Sequence, residues 1–370
     1  MVSSPFTKSD YKKYGISNIK KKGFKFLVLD CTPFLELKFY IDIKGEFKVF
    51  KDESVITCHS KKDIFQNLKK FNPDWCIDDL GGFSKRLYFD RVQIRFFIKK
   101  NFKVIEYKLK SIPFFKGLIH QNSFELIKNL VKISLIKILS IPWEVAKPDK
   151  VVIGGFSEYI KFRNNAEIIQ AHNFDYDNYK WCSERKSFIK SEYNLIFLDE
   201  DFPCHSDYLR DGVGPSINEE KYFEEISNFL INFSSRFKLK PIIKLHPKAN
   251  FSKSRRLYKL PVSNKDTAKL ISKSEVVIAH CSTSIQLAVL FKKPLILVVP
   301  DQLAENSVWR KSIDNFSRIL NVPVFKSSEI NEIKSIPAVN IQSYNKYEEN
   351  FIKMKSSPDK FSWEIITDNL

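Results

Sequence analysis

Two histidine-bearing segments concentrate the polar chemistry of this chain. Lys244-Leu245-His246-Pro247-Lys248 closes the apolar run from Pro241, and His280-Cys281-Ser282-Thr283-Ser284 closes the run Glu275–Ala279. An imidazole at a strand end donates a hydrogen bond, or a positive charge, to a phosphate. Pro247 cannot continue a ladder and fixes the turn, while Lys244 and Lys248 add positive charge. A helix N-cap needs one hydroxyl; Ser282, Thr283 and Ser284 supply three, a surplus able to wrap a phosphate together with free N–H groups. A turn or a cap explains each segment alone. On the ends of two adjacent parallel strands, the two segments read as one anion site on the rim where such sheets bind ligands.

Carboxylates cluster at two further strand ends. Asp78-Asp79-Leu80-Gly81-Gly82 follows Trp75-Cys76-Ile77, and its glycines permit a tight turn. Neighbouring carboxylates of this kind hold their pKa values apart for acid–base work. Asp199-Glu200-Asp201 opens a second cluster that continues to His205 and Asp207. Three consecutive carboxylates repel one another unless a cation or a substrate group compensates, or water solvates the loop. His172, Asp175, Asp177 and His205 are further polar groups placed to contact an acceptor. No HxH, HExxH or Cys/His spacing predicts a metal. GxSxG, GxGxxG and GxxxxGK[ST] are all missing, which argues against serine hydrolases and the common dinucleotide and P-loop classes.

The elements that must position these residues alternate in type, as in βαβ units with a parallel sheet. Strand-like runs are Phe26–Asp30, Trp75–Asp78, Lys103–Tyr107, Lys150–Gly154, Glu167–Ala171, Tyr193–Leu198, Pro241–Leu245, Glu275–Ala279 and Leu295–Val299. Helical patterns cover Asp63–Lys70, Arg91–Ile98, Glu219–Phe237, Thr267–Ser272 and Ser282–Phe291. With 370 residues, two domains are expected. They are an N-terminal Rossmann-like domain over 1–180, a second over 190–340 and a helical segment over 341–370, with the polar stretch Asn173–Lys190 as linker. Helix Ser123–Leu139 sets an apolar stripe against Lys128, Lys132 and Lys137, a pattern shared by interfacial helices and ordinary domain helices.

A net charge of +18 admits polyanionic substrates, an anionic membrane surface or nucleic acid, and a genome rich in Lys, Phe, Ile and Asn codons produces the same excess. The lysines are dispersed rather than striped with aromatics, so a nucleic-acid partner is not expected. Six scattered cysteines without CxxC fit free thiols. The N-terminus lacks an apolar signal region, and no window is apolar enough to span a bilayer. A cytoplasmic protein is expected, its basic surface able to touch the inner membrane face.

His246-Pro247, with Ser282-Thr283-Ser284 and the following Ala288–Pro294, resembles bacterial surface-polysaccharide glycosyltransferases of the GT-B type. Polysialyltransferases and Kdo transferases among them bind the phosphate of a CMP-activated sugar through an "HP" motif and a serine motif. The resemblance runs from Tyr193 to Val299, and Phe197–Asp207 is similar to the opening of the C-terminal half in surface carbohydrate biosynthesis proteins. It implies a GT-B-like fold, two Rossmann-like domains facing across a cleft, with a C-terminal helical segment. It also implies transfer of a CMP-activated acidic sugar, such as Kdo or a nonulosonate, to a glycan or glycolipid acceptor in capsule or lipopolysaccharide synthesis, without cofactor or metal. Lys244, His246, Pro247, Lys248, Ser282, Thr283 and Ser284 would hold the donor. In the polysialyltransferase-like families an acidic-acidic-Gly motif carries the base. Asp78-Asp79-Leu80-Gly81 is similar with one extra residue, so Asp78 and Asp79 both stay open, as do Asp199, Glu200 and Asp201. Alternatives are a teichoic-acid-type CDP-glycerol or polyol-phosphate transferase, and a basic nucleic-acid-binding or non-catalytic scaffold protein.

Overall fold

The computed structural model describes residues 1–42, 50–80, 88–109, 148–164, 166–185, 192–205, 217–247, 249–305 and 307–370. They form two compact α/β units. The first comprises Met1–Leu109, the described residues up to Ala171, and Ser356–Leu370; the second runs from His172 to Lys355. Two Rossmann-like units of α/β class are thus what the chain builds.

In the first unit the strands are β1 (Val28–Asp30), β2 (Val55–Thr57), β3 (Trp75–Asp78), β4 (Lys103–Lys108), β5 (Lys150–Ile153) and β6 (Glu167–Gln170). β1 pairs with β2, and β3-β4-β5-β6 form a second sheet, every pair parallel. Between β1 and β3 sits the start of the chain, where Val2 makes parallel bridges to both Asp30 and Asp79. Helix Lys61–Phe71 begins at a capping box, Ser60 and Asp63 each satisfying the other's backbone N–H, and buries Ile64 and Leu68 one turn apart. At its end Asn72 takes the left-handed conformation that closes many helices. Gly15 has φ +60°, and the Trp363 ring fills the space a Cβ would need, so only glycine fits there.

The second unit holds β7 (Leu195–Leu198), β8 (Pro241–Lys244), β9 (Val262–Ser263), β10 (Val276–Ala279), β11 (Leu295–Val299) and β12 (Val324–Lys326). Their order is β12-β11-β10-β7-β8-β9, all parallel. The chain steps outward from β7 to β9, returns to the other side of β7 at β10 and runs on to β12. This is the doubly wound order, with its switch point between β7 and β10. β7, β10 and β11 are buried at every position, because helices cover both faces; hence they read as unbroken apolar runs. The longest covering helix, Glu219–Phe237, is capped by Asn218 and buries Tyr222, Phe223, Ile226, Phe229, Leu230 and Phe233 along one stripe. Each such side chain contributes about 1.5–3 kcal/mol through burial.

Three expectations change. The proposed linker is helix Phe174–Glu184, packed in the second unit through Tyr176, Tyr179 and Cys182. Residues 341–370 are not one helical appendage: helix Ile341–Tyr347 belongs to the second unit, whereas helix Ser362–Thr367 belongs to the first. Finally, β8 and β10 are not neighbours, since β7 lies between them. Helix Ser123–Leu139, Gly81, Gly82 and Lys248 lie outside the described residues. Among those residues no helix is long and apolar enough to cross a membrane.

Candidate functional site

The carboxyl rim of the second unit gathers the residues of interest. A tract of rings runs along it. His246, half-buried after β8, lies 5.1 Å from His205; His205 lies 5.2 Å from Trp309, Trp309 5.3 Å from Phe202, and Phe202 4.7 Å from His280. Trp309 stands at the start of helix Val308–Leu320, whose N-cap Ser307 accepts from the Arg310 N–H. The tract therefore spans the ends of β8, β7 and β10. His205, read from the sequence as an acceptor contact, is buried beside His246, so the structure brings these two imidazoles together.

Below the tract, Asp199, Tyr222 and His280 form a buried chain at the switch point. The contacts are 2.6 Å from Val298 O to His280 Nδ1, 3.0 Å from His280 Nε2 to Tyr222 Oη, and 2.7 Å from Tyr222 Oη to Asp199 Oδ1. Burial pushes the Asp199 carboxyl up, against the Asp201 N–H and the Tyr222 hydroxyl, and takes His280 down to about 4. The Tyr222 hydroxyl donates to Asp199 Oδ1, which also accepts the Asp201 N–H, and His280 Nδ1 faces the Val298 carbonyl.

The acidic triplet is more enclosed than a solvated loop. Asp199, Glu200 and Asp201 are all buried, and Asp201 holds a left-handed backbone (φ +52°) while its N–H donates to Asp199 Oδ1 at 2.9 Å. Asp199 thus supports the rim from below. Lys244 is also buried; its ammonium donates to the Leu245 carbonyl at 2.9 Å, and burial lowers its pKa against the pull of Asp266. Pro247 is exposed.

The serine segment differs from a hydroxyl-capped helix start. Ser284 occupies the cap in helical conformation with no side-chain capping bond, and Ser282 Oγ accepts from the Ser284 N–H at 3.2 Å. The N–H groups of Ile285, Gln286 and Leu287 already donate to the carbonyls of Ser282, Thr283 and Ser284. What this turn offers is the exposed Thr283 and half-buried Ser284, with Ser282 buried. The Cys281 thiol is fully buried and pushed well up by burial and by Glu200, an inert group.

His172 is fully buried, its Nδ1 3.0 Å from the Asn173 carbonyl and its Nε2 3.7 Å from Asp177. Residue 172 also bridges Lys353, which ties helix Phe174–Glu184 to the C-terminal segment of its own unit. This histidine has no surface to offer an acceptor; Asp175 and Asp177, in the helix's first turn, are half-buried.

In the first unit, Asp78 ends β3 buried and gripped by Arg95, at 2.5 Å from Nε and 3.2 Å from Nη2. Burial raises its pKa, but Arg95 and the Leu80 N–H outweigh burial and leave it below the usual carboxylate range. A base needs a higher proton affinity than that. Asp79 is half-buried and accepts a 2.7 Å hydrogen bond from Tyr14. Among the described residues no group of three His, Cys, Asp or Glu is placed to hold a metal ion.

Trp309, Phe202 and Tyr222 were not singled out from the sequence. Tyr222 and Phe202 lie inside apolar patterns that any core produces. Trp309 carried one faint signal, an aromatic in the first turn after the last buried strand.

No protein-family model matches the sequence, and no curated protein does. Solved structures that the chain resembles include MurG from Acinetobacter baumannii, 8% identical over 100% of this chain and 97% of that one, TM-score 0.48. The UDP-GlcNAc 2-epimerase from Methanocaldococcus jannaschii is 12% identical over 97% and 95%, TM-score 0.48. CalG4, the calicheamicin glycosyltransferase, is 10% identical over 92% and 90%, TM-score 0.47. At these identities and scores the likeness assigns neither activity nor substrate.

Proposed function

We propose that this protein is a nucleotide-sugar-dependent glycosyltransferase whose second unit holds the donor. The observation that carries this reading is the ring tract His246–His205–Trp309 at the carboxyl rim of a doubly wound sheet, beside its switch point. Ligands of such sheets bind there. His246 would donate to the donor phosphate and stabilise the charge that develops on the departing nucleotide. Trp309 offers an aromatic face to a base, and Thr283 and Ser284 add hydroxyl donors. Lys244, Pro247 and Ser282 support this rim rather than touch the donor.

The first unit would hold the acceptor. Asp79 is the better base of its pair, since Arg95 ties up both oxygens of Asp78. A cytidine monophosphate leaving group and an acidic sugar follow from the similarity of His246-Pro247 and Ser282-Thr283-Ser284 to the polysialyltransferase and Kdo transferase motifs. A glycan or lipid-linked glycan at the inner membrane face is the matching acceptor. Incubating the protein with CMP-sugars, UDP-sugars and CDP-glycerol, and measuring the nucleotide released, tests this. Release of CMP from a CMP-sugar supports the reading, whereas release from CDP-glycerol alone replaces it with a polyol-phosphate transferase.

A further inference from the structure

The first unit contains a slot at the sheet position that β7 occupies in the second. In the second unit, β7 is the central strand, buried on both faces between β8 and β10. In the first, β2-β1 and β3-β4-β5-β6 would form one sheet of the same winding if a strand lay between β1 and β3. Among the described residues only Met1 and Val2 lie there. The Val2 N–H donates to the Leu29 carbonyl at 3.0 Å, and its carbonyl accepts from Cys31 at 2.9 Å. Across the gap, the Met1 carbonyl accepts from Asp79 at 3.1 Å, and the Met1 ammonium donates to the Ile77 carbonyl at 2.8 Å. Two residues thus pair in parallel on both sides, setting β1 and β3 two strand spacings apart, about 9–10 Å.

Beyond Met1 the ladder is open. Val28 and Asp30 bond to the β2 side, through Ser54 and Cys58, so alternation turns Leu29 N–H and Leu27 C=O into the gap. Asp74 bonds to Lys103 on the β4 side, so Trp75 C=O and Ile77 N–H face the gap from β3. Among the described residues no backbone partner reaches these four groups. Here the first unit has a cavity of about 1010 Å³, walled by Leu68 and Phe71, Ile16 and Ile19, and Trp363 and Ile366. Unpaired ladder groups over apolar walls are costly to leave open.

We infer that this cavity is a strand site: an extended apolar segment joined ahead of Met1 enters it, parallel to β1 and β3, as the central strand of a single sheet. The register follows from the bridges. Trp75 lies four positions before Asp79, so the residue opposite Trp75 lies three positions ahead of Met1. The same three positions reach Phe26 on the other side. Their side chains alternate between apolar walls, which selects residues such as Ile and Val and excludes Pro, whose missing N–H would break the ladder.

The test compares the chain as it stands with one carrying Met-Lys-Ile-Val-Ile ahead of Met1 and one carrying Met-Lys-Ser-Pro-Ser. The apolar extension is expected to raise the melting temperature by roughly 5 °C or more. It should also slow amide exchange at Leu29 and Ile77 by about a hundredfold or more, as protected ladder amides do. The proline-bearing extension should do neither. Equal behaviour of the two extensions overturns the inference. So does a fluorescent fatty acid that binds the apolar-extended protein as well as it binds the unextended one, since the slot would then still be open to a lipid-like occupant.

Discussion

The carboxyl rims of the two units neutralise buried carboxylates by different means. In the first, arginines do it: Arg91, fully buried, pairs with Glu36 at 2.7 Å, and Arg95 grips Asp78. In the second, neutral donors do it: the Tyr222 hydroxyl and the Asp201 N–H both donate to Asp199 Oδ1. An arginine stays charged at any ordinary pH, so the first rim is fixed. Burial raises Asp199 and lowers His280, so the second rim is sensitive to pH beneath the half-buried His246. The same winding supports a locked rim in one unit and a titratable one in the other.

The largest expected effect breaks the locked rim. Arg91→Ala leaves Glu36 buried without its partner and should cost about 3–5 kcal/mol. Urea unfolding should show this loss in the transition of the first unit; a loss below about 1 kcal/mol would mean that Arg91 is not what neutralises that rim.

The titratable rim should respond to acid. His280 is held at about 4, below the 6.5 of a free histidine. Its contribution is present above pH 6.5 and is lost as pH falls toward 4, up to about 3 kcal/mol. Asp199 has the opposite sign: with its pKa raised, its contribution is full at low pH and fades as pH rises through the folded value. Tyr222→Phe removes the hydroxyl between them and should cost about 1–3 kcal/mol at neutral pH. Stability of the second unit that stays flat between pH 6.5 and 4, in wild type and variant alike, would refute the depressed pKa of His280.

Much of the fold was legible because buried parallel strands are continuous apolar runs: Trp75–Asp78 and Leu295–Val299 are strands with the bounds read from the sequence. The strands not read were β2, β9 and β12, two or three residues each, all at sheet edges. An edge strand is short and partly exposed, so it lacks such a run. Helix Phe174–Glu184 was hidden by its polar composition, although Tyr176, Tyr179 and Cys182 recur at a spacing of three. At the site, His246 and His205 stood out by residue type. Their partners Trp309 and Tyr222 did not, because only the winding order brings the loop after β7 and the helix after β11 onto one rim. The same order explains why the segments after β8 and β10, adjacent in the expectation, lie on either side of β7.

The central claim is that His246 on the second rim binds the phosphate of a cytidine nucleotide. Thermal unfolding of the wild type and of His246→Ala, with and without CMP, tests it most directly. With CMP at about 100 times its dissociation constant, linkage predicts about 2.7 kcal/mol of stabilisation and a rise of several degrees in the wild type. The variant should keep its own stability within about 1 kcal/mol, as a half-buried rim residue does, and lose most of the CMP-induced rise. An equal CMP-induced rise in both proteins, or none in the wild type, would contradict the account.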